Sequence, residues 1–157
     1  MVIKMEKVRF GVIGLGNMGS THAANVYSGA VAKMELAAIC DIAEARRAYA
    51  KEKYPDIPVF ESSHELITSG LVDAVIIAVP HYSHPPIAID AFENGLNVIT
   101  EKPAGVYTKQ VIEMNEAAKK SGKLFGIMYN QRTNPVYQRL RKLVKDGELG
   151  SIKRVSW

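Results

Sequence analysis

The chain has 157 residues, of which 47% are hydrophobic and 23% charged. That length fits a single domain. The composition excludes a disordered chain and a collagen-like repeat, and Cys40, the only cysteine, cannot close an intramolecular disulfide. The net charge of +4 is unevenly placed: residues 1–131 carry 13 basic and 14 acidic side chains, whereas residues 132–157 carry 7 and 2. The basic tail lacks interleaved aromatics and runs around an amphipathic segment, which argues against a nucleic-acid partner. The start, MVIKMEKVRF, interrupts its apolar residues with charges, unlike a signal peptide. The longest small-apolar run, Ala74–Val79, has six residues, against the roughly 18–20 that span a bilayer. A cytoplasmic protein with no membrane partner is expected.

Val8–Ile13 reads as a first strand, and Asn17–Ser28 as a helix stopped near Gly29. A second strand, Met34–Cys40, leads to a helix over Ile42–Lys53, closed by Pro55 and Pro58. A short strand at Val59–Phe60 precedes a short helix, Ser63–Ser69, with Ser62 or Ser63 as its cap and Gly70 as its stop. Asp73–Val79 is almost continuously apolar, the pattern of a parallel strand covered on both faces. A helix over Pro85–Asn94 ends at Gly95, and a strand follows at Asn97–Thr100. Val106–Ser121 is helical, with Val111, Met114 and Ala118 on one face, and is stopped by Gly122. Lys123–Tyr129 reads as a strand and Pro135–Lys145 as a helix with Val136, Leu140, Leu143 and Val144 as its apolar stripe. Leu149–Trp157 begins a further strand. Repeated β-α-β units with helical crossovers predict an α/β class and a doubly wound, mostly parallel sheet.

Gly14-Leu15-Gly16-Asn17-Met18-Gly19 forms a GxGxxG between the first strand and the first helix. In such a turn the first glycine allows the tight bend, and the second lets backbone approach a pyrophosphate. The third brings the helix close to the strand, with its N-terminal amides facing the phosphates. Asp41 ends the second strand 22 residues beyond Gly19, near the spacing expected of a ribose-binding acid. A carboxylate there accepts from both ribose hydroxyls and repels a 2′-phosphate. Ile42 and Ala43 supply no offsetting arginine, and Arg46 and Arg47 lie a helical turn on, so NAD is favoured over NADP. Asp41 is also a sensible N-cap for the helix predicted at Ile42.

Glu101-Lys102-Pro103 follows the Asn97–Thr100 strand, at the sheet edge where ligands of open parallel sheets bind. Lys102 there can hydrogen-bond a substrate oxygen during hydride transfer, or be an ordinary loop lysine. His81 and His84 follow the Asp73–Val79 strand and Pro80, with no third ligand at metal spacing; a place bordering the nicotinamide pocket or capping the next helix suits them better. His22 reads as a packing or orienting residue, His64 as a surface residue, and Cys40 as a small buried hydrophobe. Tyr129-Asn130-Gln131-Arg132 again reaches the ligand-binding edge, as a substrate cleft or a domain junction.

Taken together, Gly11–His22 (GVIGLGNMGSTH), Asp41, Pro80 with His84, Gly95-Leu96-Asn97-Val98 running into Glu101-Lys102-Pro103, and Asn130-Gln131-Arg132 with Pro135 and Tyr137 resemble the Gfo/Idh/MocA oxidoreductases. The likeness covers essentially the whole chain. It implies an N-terminal Rossmann domain binding NAD or NADP, an active-site role for Lys102, and a Lys102–Pro103 peptide that is often cis in the family. The dinucleotide site it implies comprises Gly14, Leu15, Gly16, Asn17, Met18, Gly19, Asp41, Ile42, Ala78, Val79, Pro80, His84, Glu101, Lys102 and Asn130, with no metal. Sugars, polyols or related hydroxy/keto compounds are the implied substrates. A C-terminal α/β domain carrying the substrate contacts, the oligomer interface and an Asp/His pair is the implied partner. Residues 1–147 then form the dinucleotide domain and 148–157 the start of the second, so the chain is expected to be an N-terminal fragment, inactive alone, of a protein that is a homo-oligomer when whole. A non-catalytic sensor of nucleotide or sugar, and an NAD-dependent lyase or glycosidase, remain open alternatives.

Overall fold

Alternate residues of the strands feed two separate apolar cores, one on each side of a single sheet. The structure, a computed structural model, describes residues 7–156. Its elements run β1 (Val8–Ile13), α1 (Asn17–Tyr27), β2 (Met34–Cys40), α2 (Glu44–Lys53), β3 (Val59–Phe60), α3 (Ser63–Thr68) and β4 (Ala74–Ile77). They continue with α4 (His84–Glu93), β5 (Asn97–Thr100), α5 (Thr108–Ser121), β6 (Phe125–Ile127) and α6 (Pro135–Lys145). The strands lie in the order β3-β2-β1-β4-β5-β6, and every pairing is parallel. The predicted doubly wound α/β fold is the one found.

Phe10 and Val12 of β1, with Ala74 and Ile76 of β4, pack under α1 and α2 through Ala23, Val26, Ala50 and Tyr54. Ile13, Val75, Ile77 and Val98 pack on the opposite face under α3, α4 and α5 through Leu66, Phe92, Met114 and Ala118. One extra residue in β2 keeps both cores supplied. Phe10 pairs with Leu36 but Gly11 with Ala38, so Ala37 is skipped and the register shifts. Leu36 and Ile39 thereby join one core, and Ala38 and Cys40 the other. Because β1 and β4 are neighbours while their crossovers leave in opposite directions, the sheet has its topological switch point at their carboxyl ends.

Several element ends differ from the sequence expectation, each for a local reason. The second helix starts at Glu44 because Ala43 is extended, with φ −85° and ψ 122°. α5 starts at Thr108 because Tyr107 is extended, with φ −109° and ψ 130°. Ser62 takes the N-cap position of α3 but makes no side-chain cap bond. Asn134 caps α6, its Oδ1 accepting the Val136 amide at 2.9 Å. The largest departure is at the tail, where Leu149–Ser156 forms no strand. Extended backbone is not a strand until another chain segment shares its hydrogen bonds, and Leu149, Ile152 and Val155 are all exposed. Trp157 lies outside the described residues. Val136, Leu140 and Val144 of the apolar stripe of α6 are exposed as well, Leu143 is half-buried, and that helix buries no residue. No helix among the described residues is long and apolar enough to cross a membrane.

At the amino edge of the sheet, opposite the switch point, Arg9 and Asp73 form a two-pronged pair. Arg9 Nε and Nη2 donate to the two carboxylate oxygens at 3.1 and 2.6 Å, and the Arg9 backbone amide adds a third bond at 2.9 Å. These hydrogen bonds, more than charge alone, hold the Asp73 carboxyl below its ordinary value of 3.8. A carboxyl depressed in the folded state contributes stability above its ordinary value and loses it as the pH falls through the lowered one. Asp73→Asn is therefore expected to flatten the loss of stability below about pH 4 seen in urea titrations; parallel acid limbs for the two chains would contradict this.

Candidate functional site

Three strand ends and two helix starts converge on the switch point. Gly14 leaves β1 with φ +93°, a conformation that side chains rarely adopt, and a Cβ there would lie 2.6 Å from the Ala78 carbonyl oxygen. Gly19, in the first turn of α1, leaves still less room: its Cβ would stand 1.8 Å from the Gly14 carbonyl oxygen. These two glycines are demanded by the chain itself. Gly16 is not. Its φ is −65°, and a Cβ added there meets nothing within 4 Å. The space that its missing side chain leaves opens into the cleft, the cradle a pyrophosphate would fill.

Asp41 ties this loop to the next crossover. One carboxylate oxygen accepts the Leu15 amide at 2.7 Å and the other the Ala43 amide at 2.8 Å. It is thus not the N-cap of the second helix; two residues before the cap position, Ala43, it closes a turn. Leu15 is fully buried, so its amide has no water to turn to. Cys40, next in sequence, is buried too, and burial first, then Asp41, pushes its thiol up to about 12. At neutral pH it is an inert thiol, as expected of a small hydrophobe.

Two joined concavities run along the carboxyl edge. The larger, about 580 Å³, is lined by Gly14, Asp41, Ile42, Arg46, Ser63, Pro80 and Ile87 among others. The smaller, about 240 Å³, is lined by Asn17, Met18, His81, His84, Glu101 and Lys102. Gly16, Ala78 and Val79 border both. The size and position suit one extended ligand crossing the switch point. A third hollow of about 670 Å³ lies at Gln131, Arg132, Tyr137, Gln138 and Arg141 and shares no lining residue with the other two. It lacks a glycine loop, so its volume alone gives it no comparable claim.

Within the smaller concavity Lys102 is exposed and its ammonium has no partner among the described residues, while its neighbours are pinned. The Glu101 side chain is buried and lies 2.7 Å from His22 Nε2. The His84 ring, fully buried, sets Nδ1 2.8 Å from the Pro103 carbonyl and Nε2 2.8 Å from that of Val79. His84 therefore holds the end of β4 to the end of β5 and does not offer a free ring nitrogen to a ligand. The Lys102–Pro103 peptide is cis.

The sequence-predicted residues mostly meet. Asn130 does not: it starts a 3-10 turn, is exposed, and lines neither concavity. Sequence reasoning missed Ser63, Ser83 and Ile87, which α3 and the start of α4 bring to the larger concavity. No spacing rule links them to the glycine motif; only the strand order does. No group of three or more His, Cys, Asp or Glu among the described residues could hold a metal ion.

A parallel sheet in this order, a glycine turn at its switch point and an acid ending β2 define the dinucleotide-binding class of doubly wound domains. A family model described as an oxidoreductase family with an NAD-binding Rossmann fold matches residues 8–129. The chain belongs to that family, the Gfo/Idh/MocA oxidoreductases, as its motifs suggested. It is 33% identical over 150 residues to an inositol 2-dehydrogenase of Corynebacterium glutamicum, covering 94% of this chain and 44% of that protein. It is 31% identical to the rhizopine catabolism protein MocA of Rhizobium meliloti, covering 97% and 47%. Among solved structures, the scyllo-inositol dehydrogenase of Lactobacillus casei with NAD(H) and scyllo-inositol bound superposes with a TM-score of 0.87 at 26% identity, covering 94% of this chain and 43% of that one. The WlbA dehydrogenase of Bordetella pertussis, in complex with NADH and UDP-GlcNAcA, gives 0.84 at 27% identity, covering 92% and 44%. The chain thus spans less than half the length of these relatives.

The two kinds of glycine separate in a stability measurement. Gly19→Ala is expected to lower the midpoint of thermal unfolding markedly, because its contact is with backbone that cannot step aside. Gly16→Ala should cost less than about 1 kcal/mol, a poorer N-cap being offset by a less flexible unfolded chain. Equal losses for both would contradict the assignment.

Proposed function

We propose that the chain is the dinucleotide-binding part of a nicotinamide-dependent oxidoreductase acting on a sugar, polyol or related hydroxy/keto compound. The observation that carries this reading is one continuous cleft with Asp41 at one end, Lys102 at the other, and between them a glycine whose bareness nothing in the chain requires. The relatives named above, three of them called dehydrogenases, support it.

In this reading the adenosine lies in the larger concavity and the nicotinamide in the smaller. The amides at the start of α1 and the approach at Gly16 take the pyrophosphate. Asp41, already oriented by the Leu15 and Ala43 amides, keeps lone pairs for the ribose hydroxyls. Its charge opposes a 2′-phosphate, so NAD is the preferred cofactor. Arg47 cannot offset that charge, since it is engaged with Glu61 at 3.0 Å and with the carbonyls of Asp41 and Ile42. Arg46 lines the larger concavity with no ion-pair partner among the described residues, and becomes available to a 2′-phosphate once Asp41 is removed.

The bound dinucleotide supplies or takes up hydride at the nicotinamide ring. Lys102, its ammonium unpaired beside that end of the cleft, donates to the substrate oxygen and stabilises the negative charge that develops there. The hydride leaves the carbinol carbon with its electron pair, and the hydroxyl proton goes to a base that we place in a second domain. The uncovered apolar stripe of α6 and the basic residues 132–157 are the surface that we propose faces this domain. The whole protein, in our reading, is a homo-oligomer.

In the whole protein, a substrate-dependent absorbance change at 340 nm should be larger with NAD than with NADP. Lys102→Ala should abolish it while leaving dinucleotide affinity within a few-fold, and Asp41→Ser should narrow the cofactor preference. Undiminished turnover in Lys102→Ala would overturn its role. Equal turnover with both cofactors in the unsubstituted protein would overturn that of Asp41.

A further inference from the structure

His22 is the one histidine in the glycine-motif segment, six residues beyond Gly16 on α1. It joins two walls of the smaller concavity by reaching Glu101, 79 residues further along the chain. Asn17 and Met18 form one wall, from α1; Glu101 and Lys102 form the other, at the end of β5. Between them His22 Nε2 lies 2.7 Å from Glu101 Oε1, and the two side chains are only 16% and 8% exposed. The other Glu101 oxygen accepts the Lys102 amide at 3.2 Å, while the Glu101 amide donates to the Ile77 carbonyl at 2.9 Å. Glu101 is thus fixed by the sheet at its backbone and by α1 at its side chain.

A buried carboxylate is a costly way to pack a helix against a strand, since Ala23 and Val26 already do so with apolar contacts. What the polar link adds is direction. An apolar contact tolerates sliding, whereas a hydrogen bond of 2.7 Å between a half-buried imidazole and a buried carboxylate sets one separation. From this geometry we propose that His22 is a positioning residue. By donating to Glu101 it fixes the width of the cleft between the start of α1 and the end of β5. It thereby places Lys102 with respect to whatever occupies the nicotinamide end. His84 holds Pro103 from the opposite side, so Lys102 stands between two anchored neighbours.

The proposal rests on the dinucleotide reading, and two ligands separate the two claims. ADP-ribose fills the cleft except at the nicotinamide end; NADH fills all of it. The unsubstituted chain should bind both in calorimetric titrations, NADH more tightly. His22→Leu should leave ADP-ribose affinity within about twofold and lower NADH affinity about tenfold, the loss of one well-made hydrogen bond's worth of positioning. His22→Gln, whose amide nitrogen reaches a similar place as a donor, should restore most of the difference. The pair His22→Leu with Glu101→Gln should behave like His22→Leu without leaving a lone buried carboxylate, so a failure of the single variant to fold does not close the test. A chain that does not bind ADP-ribose would overturn the dinucleotide reading and this proposal with it. ADP-ribose binding with the advantage of NADH absent, or undiminished in both leucine-bearing variants, would overturn the proposal alone.

Discussion

Of the glycines, Gly19 on α1 leaves the least room for a side chain, facing the Gly14 carbonyl of the preceding turn at a distance that leaves no space for a methyl group. Everything at the carboxyl edge is placed by that contact. It seats α1 against the end of β1, directs the first helical amides across the switch point and carries His22 to Glu101. Gly14 meets Ala78 in the same way, so β4 is drawn into the arrangement. The cleft is therefore shaped mainly by backbone meeting backbone, and only its two ends are finished by side chains.

Those ends have different chemistry. At the Asp41 end a carboxylate is held by two backbone amides, so the negative charge of Asp41 is fixed in direction before any ligand arrives. At the other end a cation, Lys102, is left without a partner among the described residues while its neighbours are tied by His22 and His84. The chain places hydrogen bonds on both flanks of Lys102 and leaves its ammonium bare. Such local asymmetry is what a site for a transferred group requires, since a lysine already paired would have to break a bond to meet a substrate.

How far the sequence discloses this depends on whether the signal is local. The strands, the crossover helices, the glycine motif and Asp41 all lie within single β-α-β units, and their spacing is set by the geometry of one turn, so they are readable. Glu101-Lys102-Pro103 is readable as a motif at a strand end, though its side-chain partner is not. The bond between His22 and Glu101 depends on β1 and β5 flanking β4, which no stretch of sequence states. Ser63, Ser83 and Ile87 reach the cleft for the same reason. Three expectations depart for other reasons. An N-cap role for Asp41 falls two residues short of the cap position, Ala43, because an Asx turn and an N-cap use the same side chain. The strand expected from Leu149 has the right pattern but no partner within the described residues, and pattern alone does not make a ladder. Asn130, expected at the site from its place after β6, lies in a 3-10 segment and lines neither concavity.

The central claim is that a single dinucleotide lies along the edge from Asp41 to Lys102. Amide chemical shifts in a heteronuclear NMR titration with NADH test it most directly. The account predicts perturbations at Gly14–Gly19, Asp41–Ala43, Ala78–Val79 and Glu101–Lys102, moving together with one affinity. Perturbations gathered instead around Gln131, Arg132 and Arg141, at the hollow beside α6, would contradict it.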